Sequence, residues 1–470
     1  MASQAVSERR ASIWGSLLEA IRGTQQDFTQ GSISRAVFLL ATPMVLEMFM
    51  ESLFAIVDVF WVTRLGANSV ATVGLTESML SLVFAVAMGV SMSTTAMVAR
   101  RIGEKDSEGA ATAASQAILL GIAVALLMGL PGFWLSSELL QWMGAAPDLV
   151  QVGHRYTAVM FGGTVSILLL FLNNGIFRGA GDASIAMRVL WFSNLINLVL
   201  DPFLIFGLGP FHAMGVTGAA VSTLTGRSLG VVYQFWILLR GNSRIRLRMS
   251  QFRLVPRVIG SLIRVSATGV LQFAIAHSSW ILLVRIISAF GAFALAGYTI
   301  GIRIFIFVIL PSWGLSGAAA TMVGQNLGAH KPERAERAVY VTGLYNMIFL
   351  GTVAIALISM PHAIVRIFSS DPVVVPFAVD CLRIIAFGNI VYAFGMVMIQ
   401  AFNGAGDTVT PTLINVFGFW VCEVPLAWIL AFPAHMRVRG VFVSIPVAEL
   451  LMTLLSLSVF MRGKWKQTRI

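Results

Sequence analysis

The chain has 470 residues, 57% of them hydrophobic and only 11% charged, with a formal net charge of +11 and a mean hydropathy of +0.84. A soluble domain carries about a quarter charged residues, so the polar side chains here cannot cover one or two water-soluble domains. This excludes an ordinary cytosolic enzyme, a disordered chain and, despite the basic charge, a nucleic-acid binder; what remains is a polytopic membrane protein.

Residues 1–32 read as a tail rather than a signal peptide, because Arg9, Arg10, Glu19 and Asp27 leave no apolar core. Within it Trp14, Leu17, Leu18 and Ile21 either form an interfacial amphipathic turn or two or fray. Apolar stretches long enough to cross a bilayer follow at 35–62, 70–98, 112–136, 152–177, 186–207 and 214–239, then at 258–287, 292–322, 336–360, 376–402, 409–432 and 438–461. Strand alternation is absent, so the twelve spans are expected to be helices. The expected division is an N-lobe over 33–240, a linker over 241–257, a C-lobe over 258–462 and a tail over 463–470. Cys381 and Cys422 both lie in apolar runs and offer no disulfide framework or metal site.

Charge placement orients the chain. Of the Lys and Arg residues, 22 fall on the side of the N-terminus and 6 on the other. The positive-inside rule therefore puts both termini in the cytoplasm, in a plasma (inner) membrane. The basicity is topogenic and calls for no anionic partner beyond lipid headgroups.

The two halves repeat at a constant shift of 225 residues. Arg64-Leu-Gly-Ala67 answers Ala289-Phe-Gly-Ala292, Ile102-Gly103 answers Leu327-Gly328, and Pro147 answers Pro372. Phe177-Arg-Gly-Ala-Gly-Asp182 answers Phe402-Asn-Gly-Ala-Gly-Asp407, and Gly215-Val216 answers Gly440-Val441. Each half holds six spans, so both enter the membrane in the same sense. The expected fold is all-α, with two six-helix lobes related by a pseudo-two-fold axis along the membrane normal and a cavity between them.

Carboxylates at membrane depth are expensive and functional by default. Asp58 and Asp201 lie about six residues from the outer ends of spans 1 and 5, hence at similar depth. Asn197 is one helical turn from Asp201 on the same face, and Thr223 in span 6 can bring a hydroxyl nearby. Two carboxylates, an amide and a hydroxyl suit a shared proton or a hard cation such as Na⁺. Glu47, Glu51 and Asp58 share an arc of about 40° on span 1 and read as a polar track on the cavity wall. Glu77 and Arg303, one residue off the repeat, are candidates to meet across the axis, or to find separate local partners. Arg227, Arg264 and Arg383 are expected to snorkel rather than touch substrate. No Walker-type loop, His-Glu-x-x-His or Gly-x-Ser-x-Gly element is present, so ATP-driven transport from this chain and hydrolase chemistry are not expected.

Ala41-Thr-Pro43, Val57-Asp58, Arg64-Leu-Gly66, the two Gly-Ala-Gly-Asp loops, Asn197 to Asp201-Pro202 and Gly218-Ala-Ala-Val-Ser-Thr223 together resemble the multidrug and toxic compound extrusion (MATE) transporters. The match runs over about 33–462, with acids clustered in the N-lobe as in the DinF-like branch. The resemblance implies alternating access and export of an organic solute in exchange for H⁺ or Na⁺, without an enzymatic step or cofactor. Tyr392 stands where some branches place an acid in the tenth span, so a C-lobe coupling site is not expected and Glu449 is expected to matter less. The substrate expected is a small amphipathic, cationic organic compound, and the transporter is expected to act as a monomer in lipid. The alternatives are a lipid-linked saccharide flippase of the same superfamily and, from another class, an integral-membrane transferase.

Overall fold

The computed structural model describes residues 13–23, 26–240, 243–468 and 470. Arg9, Arg10 and Arg469 of the charge count lie outside the described residues. A short helix α1 (Ile13–Arg22) precedes the spans. It leaves Trp14 and Leu18 exposed and buries Ala20, the amphipathic alternative for the tail.

The N-lobe contains α2 (Ile33–Thr63), α3 (Ala67–Gly103), α4 (Ser107–Trp134), the surface helix α5 (Ser136–Trp142), α6 (Pro147–Gly162), α7 (Thr164–Ala180), α8 (Ala183–Phe206) and α9 (Val216–Arg240). In the C-lobe, α10 (Pro256–Ser288), α11 (Ala292–Gly328), α12 (Pro332–Ser359), the short α13 (Pro361–Arg366) and α14 (Val374–Ala405) are followed by α15 (Val409–Asn415), a π-helical stretch over Val416–Glu423, α16 (Val424–Ala431) and α17 (Val438–Met461). Among the described residues there is no strand. The fourth span is α6 and α7 joined with a bend of 41°, and the eleventh is α15, the π-helix and α16 in one run. The two spans without a clearly membrane-like apolar window are α2 and α9. The first carries Glu47, Glu51 and Asp58; the second is rich in Ser, Thr and Gly and carries Arg227.

The repeated loops have a local cause. Gly181 and Gly406 terminate α7 and α14 in the left-handed region, at φ of 86° and 85°, where a side chain is disfavoured. Asp182 then accepts the backbone N–H of Arg244 at 2.9 Å, and Asp407 accepts that of Thr410 at 3.1 Å. The linker is strapped down rather than loose. Gln116 in α4 donates to the carbonyls of Gln251 and Arg253 and accepts the N–H of Val255.

The lobes meet along a seam that obeys the 225-residue repeat. Gly89 of α3 sits on the backbone around Val270 in α10, and Gly314 of α11 sits on the backbone at Met44 and Val45 in α2. Gly103 lies against the carbonyl of Gln325, and Gly328 against that of Arg100. Each contact is the repeat image of another, which is what a two-fold relation between lobes requires. The face carrying both chain ends is closed further. Ser93 and Ser266 hydroxyls pair at 2.6 Å, Thr321 donates to the carbonyl of Arg178 at 3.0 Å, and Gln325 to that of Gly179 at 2.9 Å. Phe49 and Phe307 make an edge contact between the lobes at 6.3 Å. Beyond it, toward the opposite face, Glu77 and Arg303 remain exposed. The cavity between the lobes is closed at the face that bears the termini and open at the other.

Candidate coupling site and central cavity

Helices α8 and α9 bring the predicted N-lobe residues together. Asn197 and Asp201 are 2% and 0% exposed. The Asn197 amide donates to the Thr223 hydroxyl at 2.9 Å and to the Ser222 hydroxyl at 3.2 Å. Ser222 in turn donates to Asp201 Oδ1. Two buried acceptors, Asp201 Oδ2 and Asn197 Oδ1, have no hydrogen-bond donor. Such atoms are costly unless a proton or cation satisfies them.

Asp58 on α2 approaches from the other side and is within electrostatic range of Asp201, Glu77 and Arg227. Tyr156 on α6, 4% exposed, faces the same four charged groups. Arg227 contradicts the expectation that it snorkels. It is 9% exposed, its guanidinium lies 5.5 Å from the centre of the Phe84 ring, and Nη1 has no hydrogen-bond partner. It sits one turn after Thr223, on the same face of α9, and brings positive charge to the site. The cluster therefore sets three carboxylates (Asp58, Glu77, Asp201) against the Arg227 guanidinium, with Arg303 attracting Glu77 from the C-lobe. The excess of negative charge beside the buried Asp201 favours uptake of a proton or a monovalent cation. The sequence reading assigns Arg227 to the lipid interface and gives no role to Ser222 or Tyr156. The i, i+4 spacing of Thr223 and Arg227 was the available signal for the arginine.

The polar track on α2 divides into different environments. Glu47 is 1% exposed and does not line the cavity wall. Its Oε1 accepts from Arg178 at 3.1 Å and from Asn174 at 3.0 Å, both on α7. Glu51 is half-buried and accepts from Asn194 on α8 at 3.3 Å. Periodicity placed the carboxylates on one face, but α7 and α8 cover the lower part of that face. Glu77 and Arg303 attract each other electrostatically without forming an ion pair.

The C-lobe holds a pocket that is aromatic and amide-rich, with Phe273, Trp313, Tyr392 and Met396 beside Gln272 and Asn403, and Met92 of the N-lobe at its edge. Behind it lie two buried acids, Glu423 and Glu449, 5% and 6% exposed. Glu449 had been expected to matter less, and Glu423 was not singled out. Among the described residues no group of three or more His, Cys, Asp or Glu could hold a metal ion.

The comparisons agree with the two-lobed helical fold. The MatE family profile matches the chain twice, over residues 43–203 and 270–429, one match in each lobe. The "Probable multidrug resistance protein NorM" of Thermotoga maritima is 25% identical over 444 residues, covering 93% of this chain and 94% of that protein. A FAD transporter of Shewanella oneidensis is 24% identical over 436 residues, covering 89% and 92%. A MATE crystal structure in complex with MaL6 superposes with a TM-score of 0.89 at 25% identity, covering 95% of this chain and all of that one. A structure described as an outward-facing MATE transporter of the MOP superfamily gives 0.88 at 25% identity, covering 94% and 98%. With the profile falling once on each half of a two-lobed, twelve-helix bundle, the chain belongs to the MatE family of multidrug and toxic compound extrusion transporters.

Proposed function

We propose that this transporter exports amphipathic, cationic organic compounds in exchange for H⁺ or Na⁺, and that Asp58, Asn197, Asp201 and Thr223 form its coupling site. The observation that carries this reading is the pair of buried oxygens without donors, Asp201 Oδ2 and Asn197 Oδ1, in a cluster with an excess of negative charge. Either ion satisfies those oxygens and offsets that charge. Both termini lie in the cytoplasm on this reading, so the open face is extracellular and the structure is the outward-facing state. An ion binding better to one lobe arrangement than to the other drives the cycle. The N-lobe cluster carries more carboxylates (Asp58, Glu77, Asp201) than guanidiniums (Arg227, Arg303), which favours cationic cargo over the anionic headgroup of a lipid-linked saccharide. The multidrug names of several relatives support the same substrate class.

The test is reconstitution in proteoliposomes and efflux of a lipophilic cationic dye under a pH gradient and, separately, a Na⁺ gradient, with FAD as an anionic comparison. Uphill efflux of the dye under one gradient supports the proposal. Movement of FAD alone, or dye movement indifferent to both gradients, refutes it.

A further inference from the structure

The buried acids of the C-lobe are not used by the N-lobe site. Glu423 is the last residue of the π-helical stretch and Glu449 lies on α17, which packs against it. Glu423 lies within electrostatic range of Glu449. Glu423 accepts one hydrogen bond, from the Ser279 hydroxyl of α10 at 3.0 Å. Glu449 Oε2 is buried and has no partner. It lies against Gly388 on α14, so closely that a Cβ there would come within 2.9 Å of it. The next residue, Asn389, is fully buried with neither side-chain amide atom hydrogen-bonded.

The groups facing the pair are neutral or acidic. Tyr392 of α14 senses both acids, Tyr298 of α11 and Cys422 of the π-helix sense Glu423, and α10 contributes Ser279. Among the described residues neither carboxylate has a Lys, Arg or His within ion-pair distance. Two neighbouring carboxylates without a cation cannot both remain ionised at this depth. Two adjacent carboxylates, one of them accepting from the Ser279 hydroxyl, are suited to share a proton. Tyr392 also lines the C-lobe pocket, as do Phe419 and Thr453, each about one turn from an acid.

In sequence, Glu423 and Glu449 stand one residue beyond the repeat images of Asn197 and Thr223. The widened π turn changes the phase of the eleventh span where this offset occurs, and such turns recur at functional sites.

We infer that Glu423 and Glu449 form a second, C-lobe proton-binding pair, exchanging with cavity water past Tyr392 and adding to the ions coupled at the N-lobe. This deepens the proposed antiport but has a readout that does not require transport.

The experiment is infrared spectroscopy of full-length protein in lipid nanodiscs, in an Asp58→Asn, Asp201→Asn background that silences the N-lobe acids. Protonated-carboxyl absorption at neutral pH is expected to fall when Glu449→Gln is added, and the remaining band to shift with Ser279→Ala. If Glu449→Gln impairs folding, Glu423→Gln provides the same comparison. A protonated-carboxyl band unchanged by both Gln variants overturns the pair. A dye-efflux failure combined with an intact Glu449-dependent band refutes the antiport reading alone.

Discussion

Gly103 packs directly against the carbonyl of Gln325, and its repeat image Gly328 packs against the carbonyl of Arg100. The contact is made twice because Arg100 and Gln325 are themselves repeat images. Even one methyl group at either glycine would meet a backbone oxygen, which cannot swing aside as a side chain can.

Gly103→Ala should therefore destabilise the closed seam by about 1–3 kcal/mol, a typical cost of overpacking. The population should shift toward opening at the face that bears the termini. In a cysteine-free background, a cysteine at Ser93, buried in the seam, should react faster with a water-soluble maleimide when Gly103→Ala is added. An unchanged labelling rate would show that the seam is not the gate.

The ion pair between Glu47 and Arg178 ties α2 to α7 close to that seam. Removing the arginine strands a carboxylate that is 1% exposed, so Arg178→Gln should cost roughly 3–5 kcal/mol. Glu47→Gln, Arg178→Gln together should cost clearly less than the sum of the single changes. Thermal unfolding of the purified variants reads this cycle, and additivity would mean that the pair is not coupled.

Glu77 and Arg303 should behave differently. Each is exposed, and no ion pair joins them in this conformation. A double-mutant cycle on stability should give a coupling of about 0–1 kcal/mol, the range of solvated pairs. A coupling of several kcal/mol would indicate that the open cavity is not the resting state.

The N-terminal segment gives a pH test outside the membrane. Burial pushes the Asp27 carboxyl up, but the Thr29 amide and hydroxyl at 2.9 and 2.7 Å, with Lys105 and Lys331 beyond, hold it below the usual carboxylate range. Its contribution is thus present above the unfolded-state value of about 3.9 and is lost as pH falls through the lower folded value. Lys331 and Arg334 grip the carbonyls of Thr29, Gln30 and Gly31 alongside it. Amide exchange at Thr29, corrected for its intrinsic pH dependence, should accelerate in acid, and Asp27→Ala should reproduce this at neutral pH. Equal protection in wild type and variant would remove the role of Asp27.

The twelve spans and the repeat were legible because hydropathy and turn glycines are written locally, residue by residue. The glycine at the C-cap of each Gly-Ala-Gly-Asp loop and the apolar length of α4 or α12 need no tertiary context. Asp201, Asn197 and Thr223 could be grouped because a four-residue spacing and matching depths are one-dimensional quantities. What packs on a helical face at each height is not. Glu47 and Asp58 share an arc of α2, yet α7 supplies a guanidinium to the first and the second faces the acids of α3 and α8. Glu423 was missed for a related reason, since a π turn alters the phase that a fixed 3.6-residue period assumes. The paired glycines Gly89 and Gly314 lie on the 225-residue diagonal, but their contacts with Val270 and Met44 appear only once the lobes are packed.

The most direct test of the account is gradient-driven efflux by Asp201→Asn protein in proteoliposomes. The substitution keeps the shape of the side chain and a hydrogen-bonding link to Ser222 while removing the charge that takes part in ion uptake. The account predicts folded protein that still binds the dye but loses uphill efflux under the ion gradient that drives wild type, with Asp58→Asn behaving alike. Folded Asp201→Asn protein that drives uphill efflux with the wild-type response to that gradient would contradict it.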